Sequence, residues 1–233
     1  MEYLFDTHFH LDLQKDRAAA IRQIEEQRIY TIAVTNLPEL YRKEKSEIAS
    51  KYIRFALGFH PELVHQFPTQ IPMMWDLLSE ARYIGEVGLD FVDVSFMKEQ
   101  EFFFSELVER CRYDRSKILT IHSRKAVSRV LDIIGTNFRF KPILHWFSGS
   151  KGELIKAVEA GFYISVNGAM ISSSRFLNLL PLIPFERLLL ETDSPFTNSR
   201  HSHSEALIEV KNLLEEKDGG FSLRENFKRV LGE

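Results

Sequence analysis

The chain has 233 residues, 44% of them hydrophobic and 27% charged, a balance that excludes disorder and collagen-like repetition and leaves length for one large domain or two small ones. Thirty Lys+Arg against 33 Asp+Glu give a formal charge of -3. That is too little positive charge to hold nucleic acid by bulk electrostatics, so a polyanion would have to be gripped locally. A single cysteine, Cys111, excludes an internal disulfide and reads as a small buried apolar residue in a reducing compartment. No apolar run approaches the ~20 residues of a membrane span, and the start MEYLFDTHFH lacks the layout of a signal peptide, so a cytoplasmic chain with no membrane partner is expected.

In chain order, β-prone runs recur at Tyr3 to Phe5, Tyr30 to Thr35, Ile53 to Gly58, Tyr83 to Val87, Ile118 to His122, Pro142 to His145, Phe162 to Val166 and Leu188 to Glu191. Between them lie helical spacings, such as Ala18, Ile21, Ile24 and Glu25, then Phe103, Leu107 and Val108, then Val127, Val130, Leu131 and Ile134. Two further helices are expected near the end, Glu205 to Lys217 and Ser222 to Leu231, parted by the turn at Asp218 to Gly220. Eight strands alternating with helices at about 29 residues per unit predict parallel βαβ units closing into a compact (β/α)8 TIM barrel, with a doubly wound open sheet as the alternative. No linker, low-complexity tract or repeat beyond this rhythm interrupts 1–233, so one domain is expected.

The first strand leads into Phe5-Asp6-Thr7-His8-Phe9-His10, where two imidazoles at i and i+2 of extended backbone point to one side and can reach one metal ion. Alone, this could equally be a polar loop. The other metal-competent residues change the reading: Glu86, His122 and His145 end the fourth, fifth and sixth runs, and Asp193 follows the eighth. In a parallel barrel those ends open on one face, so His8, His10, Glu86, His122, His145 and Asp193 are expected to converge on one rim. Four histidines and two carboxylates exceed what one four-coordinate ion needs, so two ions sharing a bridging carboxylate, Glu86 or Asp193, fit the count better. His60, before Pro61 on the same rim, reads as a substrate contact more than a ligand. Asp6 reads as a hydrogen-bond acceptor behind His8 or as a turn former, and Asp90 and Glu191 stay ambiguous. His65, His201 and His203 lie away from strand ends and read as surface residues, and Phe102 to Phe104 as helix packing. No G-x-S-x-G elbow and no Gly-rich phosphate loop is present.

The motifs FDTHFHLD (5–12), GFHPE (58–62), IGEVGLDF (84–91), IHSR (121–124), HWFSGS (145–150), ETDSPF (191–196) and NFKRVLG (226–232) resemble, in order and along nearly the whole chain, the TatD family of metal-dependent deoxyribonucleases. The resemblance implies a binuclear site in which His8, His10, Glu86 and Asp193 hold one divalent ion and Glu86, His122 and His145 the other, with Glu86 bridging. It implies magnesium-dependent hydrolysis of DNA phosphodiesters, commonly 3′ to 5′ on single strands, although histidine-rich ligation also accepts zinc or manganese. Asp193 would accept the proton of the attacking water, with Glu86 as its catalytic companion, while His60 and Arg124 steady phosphate oxygens. The family's proline- and arginine-rich loop after ETDSPF is here the short stretch Thr197 to His203. That brevity resembles the TatD-like component of bacterial Qat anti-phage systems, which implies protein partners from the same operon. A small-molecule amidohydrolase or esterase with the same centre, and a non-catalytic scaffold subunit of a defence complex, are the other readings. A lysine ligand would mark the amidohydrolase, and none stands at a strand end.

Overall fold

Each of the eight apolar runs corresponds to a strand in the computed structural model, which describes residues 4–197, 202–216 and 222–232. The strands are β1 (Phe5–Phe9), β2 (Tyr30–Val34), β3 (Ile53–Ala56), β4 (Tyr83–Gly88), β5 (Ile118–His122), β6 (Lys141–Leu144), β7 (Tyr163–Val166) and β8 (Leu188–Leu190). All pairing is parallel between consecutive strands, β1-β2-β3 in one ladder and β4 to β8 in another. The ladders meet at two seams. At the first, Leu57 N donates to Tyr83 O at 2.9 Å and Gly85 N to Leu57 O at 3.0 Å. At the second, Asp193 N donates to His8 O at 2.9 Å and His10 N to Ser194 O at 3.1 Å. The α/β ring is thus TIM-barrel-like, and a doubly wound sheet, whose strand order reverses at a switch point, is excluded.

The first strand departs from the expected Tyr3 to Phe5. It begins at Phe5, carries His8 within it and ends at Phe9, so that His10 follows it directly. Asp6 and Thr7 belong to a buried strand because their side chains are satisfied: Thr7 Oγ1 donates to Leu190 O at 2.9 Å, and Asp6 Oδ1 accepts from His8 N at 3.0 Å. A period-2 hydrophobic reading misses such a strand.

The helices are α1 (Arg17–Gln27), α2 (Pro38–Glu47), α3 (Pro61–Val64), α4 (Ile71–Leu78), α5 (Met97–Cys111), α6 (Val127–Ile134), α7 (Lys151–Glu159), α8 (Gly168–Ile171), α9 (Ser174–Leu179), α10 (His203–Glu216) and α11 (Leu223–Leu231). Their starts follow from local chemistry. Asp16 caps α1 by accepting from Ala19 N, Pro61 opens α3 after His60, and Ser150 with Glu153 forms a capping box on α7. The turn expected at Asp218 to Gly220 lies outside the described residues.

One large apolar cluster joins strands and helices, and a smaller one of Phe9, Leu11, Ile24, Ala33 and Ile53 seats α1 on β1 to β3. Cys111 is fully buried, and burial pushes its thiol up to about 12, so it is packing and not a nucleophile. Phe103 and Phe104 are buried, whereas Phe102 is 75% exposed. The close approach of β4 to β5 depends on two glycines around Glu86. Gly85 has φ +151° and Gly88 φ +136°, and a Cβ on Gly88 would lie 2.1 Å from His122 O.

Candidate metal centre

All six strand-end residues come together at the carboxyl end of the ring, although not all at literal strand ends. His8 lies inside β1 and Glu86 inside β4, His122 closes β5, His145 follows β6 directly, and Asp193 stands three residues past β8. His8, His10, Glu86, His145 and Asp193 are buried. The two oxygens of Glu86 face two different groups. Oε2 is 3.9 Å from His8 Nε2 and 3.5 Å from His10 Nε2, which in turn lie 3.8 and 3.4 Å from Asp193 Oδ1. Oε1 is 2.7 Å from His122 Nδ1, 3.1 Å from His145 Nε2 and 3.6 Å from His60 Nε2.

These residues fit a cation. Of the atoms that face one another there, His8 Nε2 and Asp193 Oδ1 are buried with no hydrogen-bond partner among the described residues, a state that costs about 1–3 kcal/mol per group in a closed core. Two ligands of a tetrahedral ion, each at about 2.1 Å, lie roughly 3.4 Å apart, close to the spacings on the Oε2 side. His8, His10 and Asp193 form one set able to hold an ion, His60, Glu86 and His122 a second, and His8, His145 and Glu191 a third.

Electrostatics follow from this crowding. Burial, reinforced by His145, holds His8 well below the usual imidazole range, so it stays neutral and able to donate a lone pair. Burial alone would raise Glu86, but His60, His122 and His145 outweigh it and hold the carboxyl well below its usual range. Burial lowers His60 to about 4; its Nδ1 accepts from Glu62 N at 3.3 Å, which orients the ring at the start of α3. His122 Nε2 is 2.7 Å from Asp90 Oδ2, so this imidazole bridges two carboxylates, and their pull overcomes burial to raise it to about 9. The folded value lies above the unfolded one of about 6.5, so in the metal-free chain this contribution is complete below that pH and is lost as pH rises through about 9. It is on the order of 3 kcal/mol. The melting temperature of the metal-free chain is therefore expected to fall more steeply between pH 6.5 and about 9 than that of His122→Gln. Parallel slopes would contradict the bridge.

The residues left ambiguous in the sequence now separate. Asp90 holds His122. Glu191 accepts from Ser165 Oγ, from Asn167 Nδ2 at 2.8 Å and from Trp146 N at 3.0 Å, which fixes the chain beside His145, while burial and Asp193 push its carboxyl well above the usual range. Arg124 is exposed on the loop after β5, with its carbonyl accepting from Phe91 N at 3.0 Å. Asp193 and Trp146 adopt left-handed backbone, φ 49° and 39°, where a non-glycine residue is uncommon and clusters at working sites.

Two histidines read as surface residues are placed otherwise. His65 is half-buried and stacks on Phe96 at 3.5 Å, in an apolar groove of its own away from the cluster. His203 is the first residue of α10; its side chain is 6% exposed, its Nε2 lies 2.8 Å from Asp6 Oδ2, and its ring stacks on Phe9. The usable signal was its place just after the eighth βα loop, on the rim shared by all such loops. His201 lies outside the described residues.

Comparison with known proteins gives the family. The family model described as TatD related DNase matches residues 5–217. The chain is 27% identical over 194 residues to the 3′-5′ ssDNA/RNA exonuclease TatD of Erwinia billingiae (strain Eb661), covering 78% of this chain and 74% of that one. To the protein of the same name from Klebsiella pneumoniae (strain 342) it is 34% identical over 173 residues, covering 70% and 65%. The fold matches the crystal structure of YJJV, a TatD homologue from Escherichia coli k12, with a TM-score of 0.81 at 22% identity over 98% of this chain and 95% of that one. It also matches a TatD family hydrolase from Entamoeba histolytica with a TM-score of 0.72 at 17% identity over 98% and 95%. The chain belongs to the TatD related DNase family of metal-dependent hydrolases.

Proposed function

We propose that this chain removes nucleotides from the 3′ end of single-stranded DNA by hydrolysing phosphodiester bonds, with two divalent cations, magnesium for activity, held on either side of Glu86. The observation that carries the reading is the division of the cluster by Glu86: one buried carboxylate whose two oxygens face two different groups of metal-competent side chains suits two cations. His8, His10, Asp193 and Glu86 Oε2 would hold one ion, and His122, His145 and Glu86 Oε1 the other. Such a pair supplies polarisation of a phosphoryl oxygen and a lowered pKa for water.

The chain's own groups do the rest. Asp193 accepts the proton of the attacking water through its carboxylate, whose Oδ1 has no hydrogen-bond partner among the described residues. His60, neutral because it is buried, can donate one hydrogen bond to a phosphate oxygen, and Arg124 meets the strand from solvent. Asp90 keeps His122 oriented through Nε2, leaving Nδ1 toward Glu86. Local grip of this kind answers the net charge of -3.

Among the described residues no helix is long and apolar enough to cross a membrane. A buried free thiol accords with work in a reducing cytoplasm, by residues 1–233 acting as one domain. The short connection from Phe196 to α10 supports an extension of the proposal, in which a partner protein of an anti-phage operon completes the substrate surface. Co-expression with operon neighbours, followed by co-purification, tests that extension by itself.

The test of the activity uses purified chain with end-labelled single- and double-stranded DNA and RNA, each with a free or a blocked 3′ end, in Mg²⁺, Mn²⁺ or Zn²⁺. Stepwise loss from free 3′ ends of single-stranded DNA in Mg²⁺ is the expected result. No cleavage of any substrate with any ion would overturn the proposal.

A further inference from the structure

The half of the cluster holding His8, His10 and Asp193 is built across the seam where β8 returns to β1, and no regular ladder spans that seam. Relative placement of these residues therefore rests on a few bonds. Two are between main chains, Asp193 N to His8 O and His10 N to Ser194 O. Thr7 Oγ1 donates to Leu190 O, Gln14 Nε2 ties His10 O to Ser194 O, and four more bonds converge on one buried carboxylate. Asp6 Oδ1 accepts from His8 N at 3.0 Å and Thr192 N at 3.1 Å, and Oδ2 accepts from Thr192 Oγ1 at 2.6 Å. The last donor is His203 Nε2 at 2.8 Å, which completes four bonds to a fully buried carboxylate.

His203 comes from outside the strands. Its ring lies on Phe9, centroids 4.7 Å apart and planes 22° apart, so it is locked from the side as well as at its tip. The helix it opens does not need it for anchorage, because Leu207, Val210 and Leu214 are buried along α10. We infer that His203 is a positioning residue for the metal centre: by completing the bonds of Asp6, it holds the His8–His10 strand in register with Thr192 and Asp193. A carboxylate left one donor short in a closed core would turn toward another partner, and the seam would loosen where the cation's ligands must stay within a few tenths of an ångström.

The inference rests on the metal-binding reading of the site, and its test needs no nucleic acid. Mn²⁺ binding to the metal-stripped chain is measured by calorimetry for wild type, His203→Phe, His203→Gln, Asp6→Asn and the double variant His203→Phe/Asp6→Asn. His203→Phe keeps an aromatic ring over Phe9 and removes the donor, so Mn²⁺ affinity should fall about tenfold, the lower end for groups behind a ligand. His203→Gln keeps an N–H donor and should bind within about twofold of wild type. In the Asp6→Asn background His203→Phe should add nothing, because both changes break one connection. Wild-type affinity in His203→Phe, or losses that add in the double variant, would overturn the positioning role alone. Absence of Mn²⁺ binding in the wild-type chain would overturn the metal reading with it.

Discussion

Asp193→Asn is expected to keep the fold and part of the bound metal while losing at least 10² to 10⁴ of the hydrolysis rate, the usual contribution of a general base. Asn is the appropriate replacement here because Asp193 sits at φ 49°, and Asn tolerates left-handed backbone as well as Asp does. The bond from its main-chain N to His8 O does not depend on the side chain, so the seam survives. What changes is charge and basicity at Oδ1, which faces His8 Nε2 and His10 Nε2 at 3.8 and 3.4 Å. His60 and Arg124 are untouched, so KM for single-stranded DNA should move less than kcat. Single-turnover cleavage by metal-loaded protein, with melting temperature as the control for folding, decides it. Near-normal kcat would remove Asp193 from the proton transfer and make Glu86 the better acceptor.

Glu86→Gln should be more severe, with metal content dropping from about two equivalents to below one and cleavage to background. Five histidines lie within 3.9 Å of this carboxylate, so no neighbour can replace its charge. Its position amid those rings holds it ionised, and the amide offers one oxygen where two separated groups each need one. Removing one partner of a buried charged network typically costs about 3–5 kcal/mol, so the metal-free variant should also melt earlier. Elemental analysis after gel filtration gives the metal count. Two full equivalents in Glu86→Gln would show that the carboxylate does not stand between two ions.

The order of elements and the rim residues were legible in the sequence because both are carried by short-range pattern. Apolar runs such as Ile118 to Ile121 and Leu188 to Leu190 announce strands, and a histidine or carboxylate that closes or follows such a run must lie at the carboxyl end. The seven motifs add family membership, which a model matching residues 5–217 establishes. The first strand was misplaced for the same reason: Asp6, Thr7 and His8 interrupt the apolar pattern, and only their bonds to β8 and the chain after it show that they can be buried.

Three things were decided by tertiary structure alone. Asp90, and not Glu191, pairs with an imidazole of the cluster, although both follow their strands closely; the loop after β4 turns Asp90 toward β5, while Glu191 is taken up by Ser165, Asn167 and Trp146. Glu86 divides the cluster through its two oxygens, which no spacing expresses. His203 meets Asp6 across 197 positions, because closing the ring brings the last βα loop against the first strand. Periodicity records which face of an element is buried, and the identity of the partner there is set by ring closure, a property of all eight strands together and of no segment by itself.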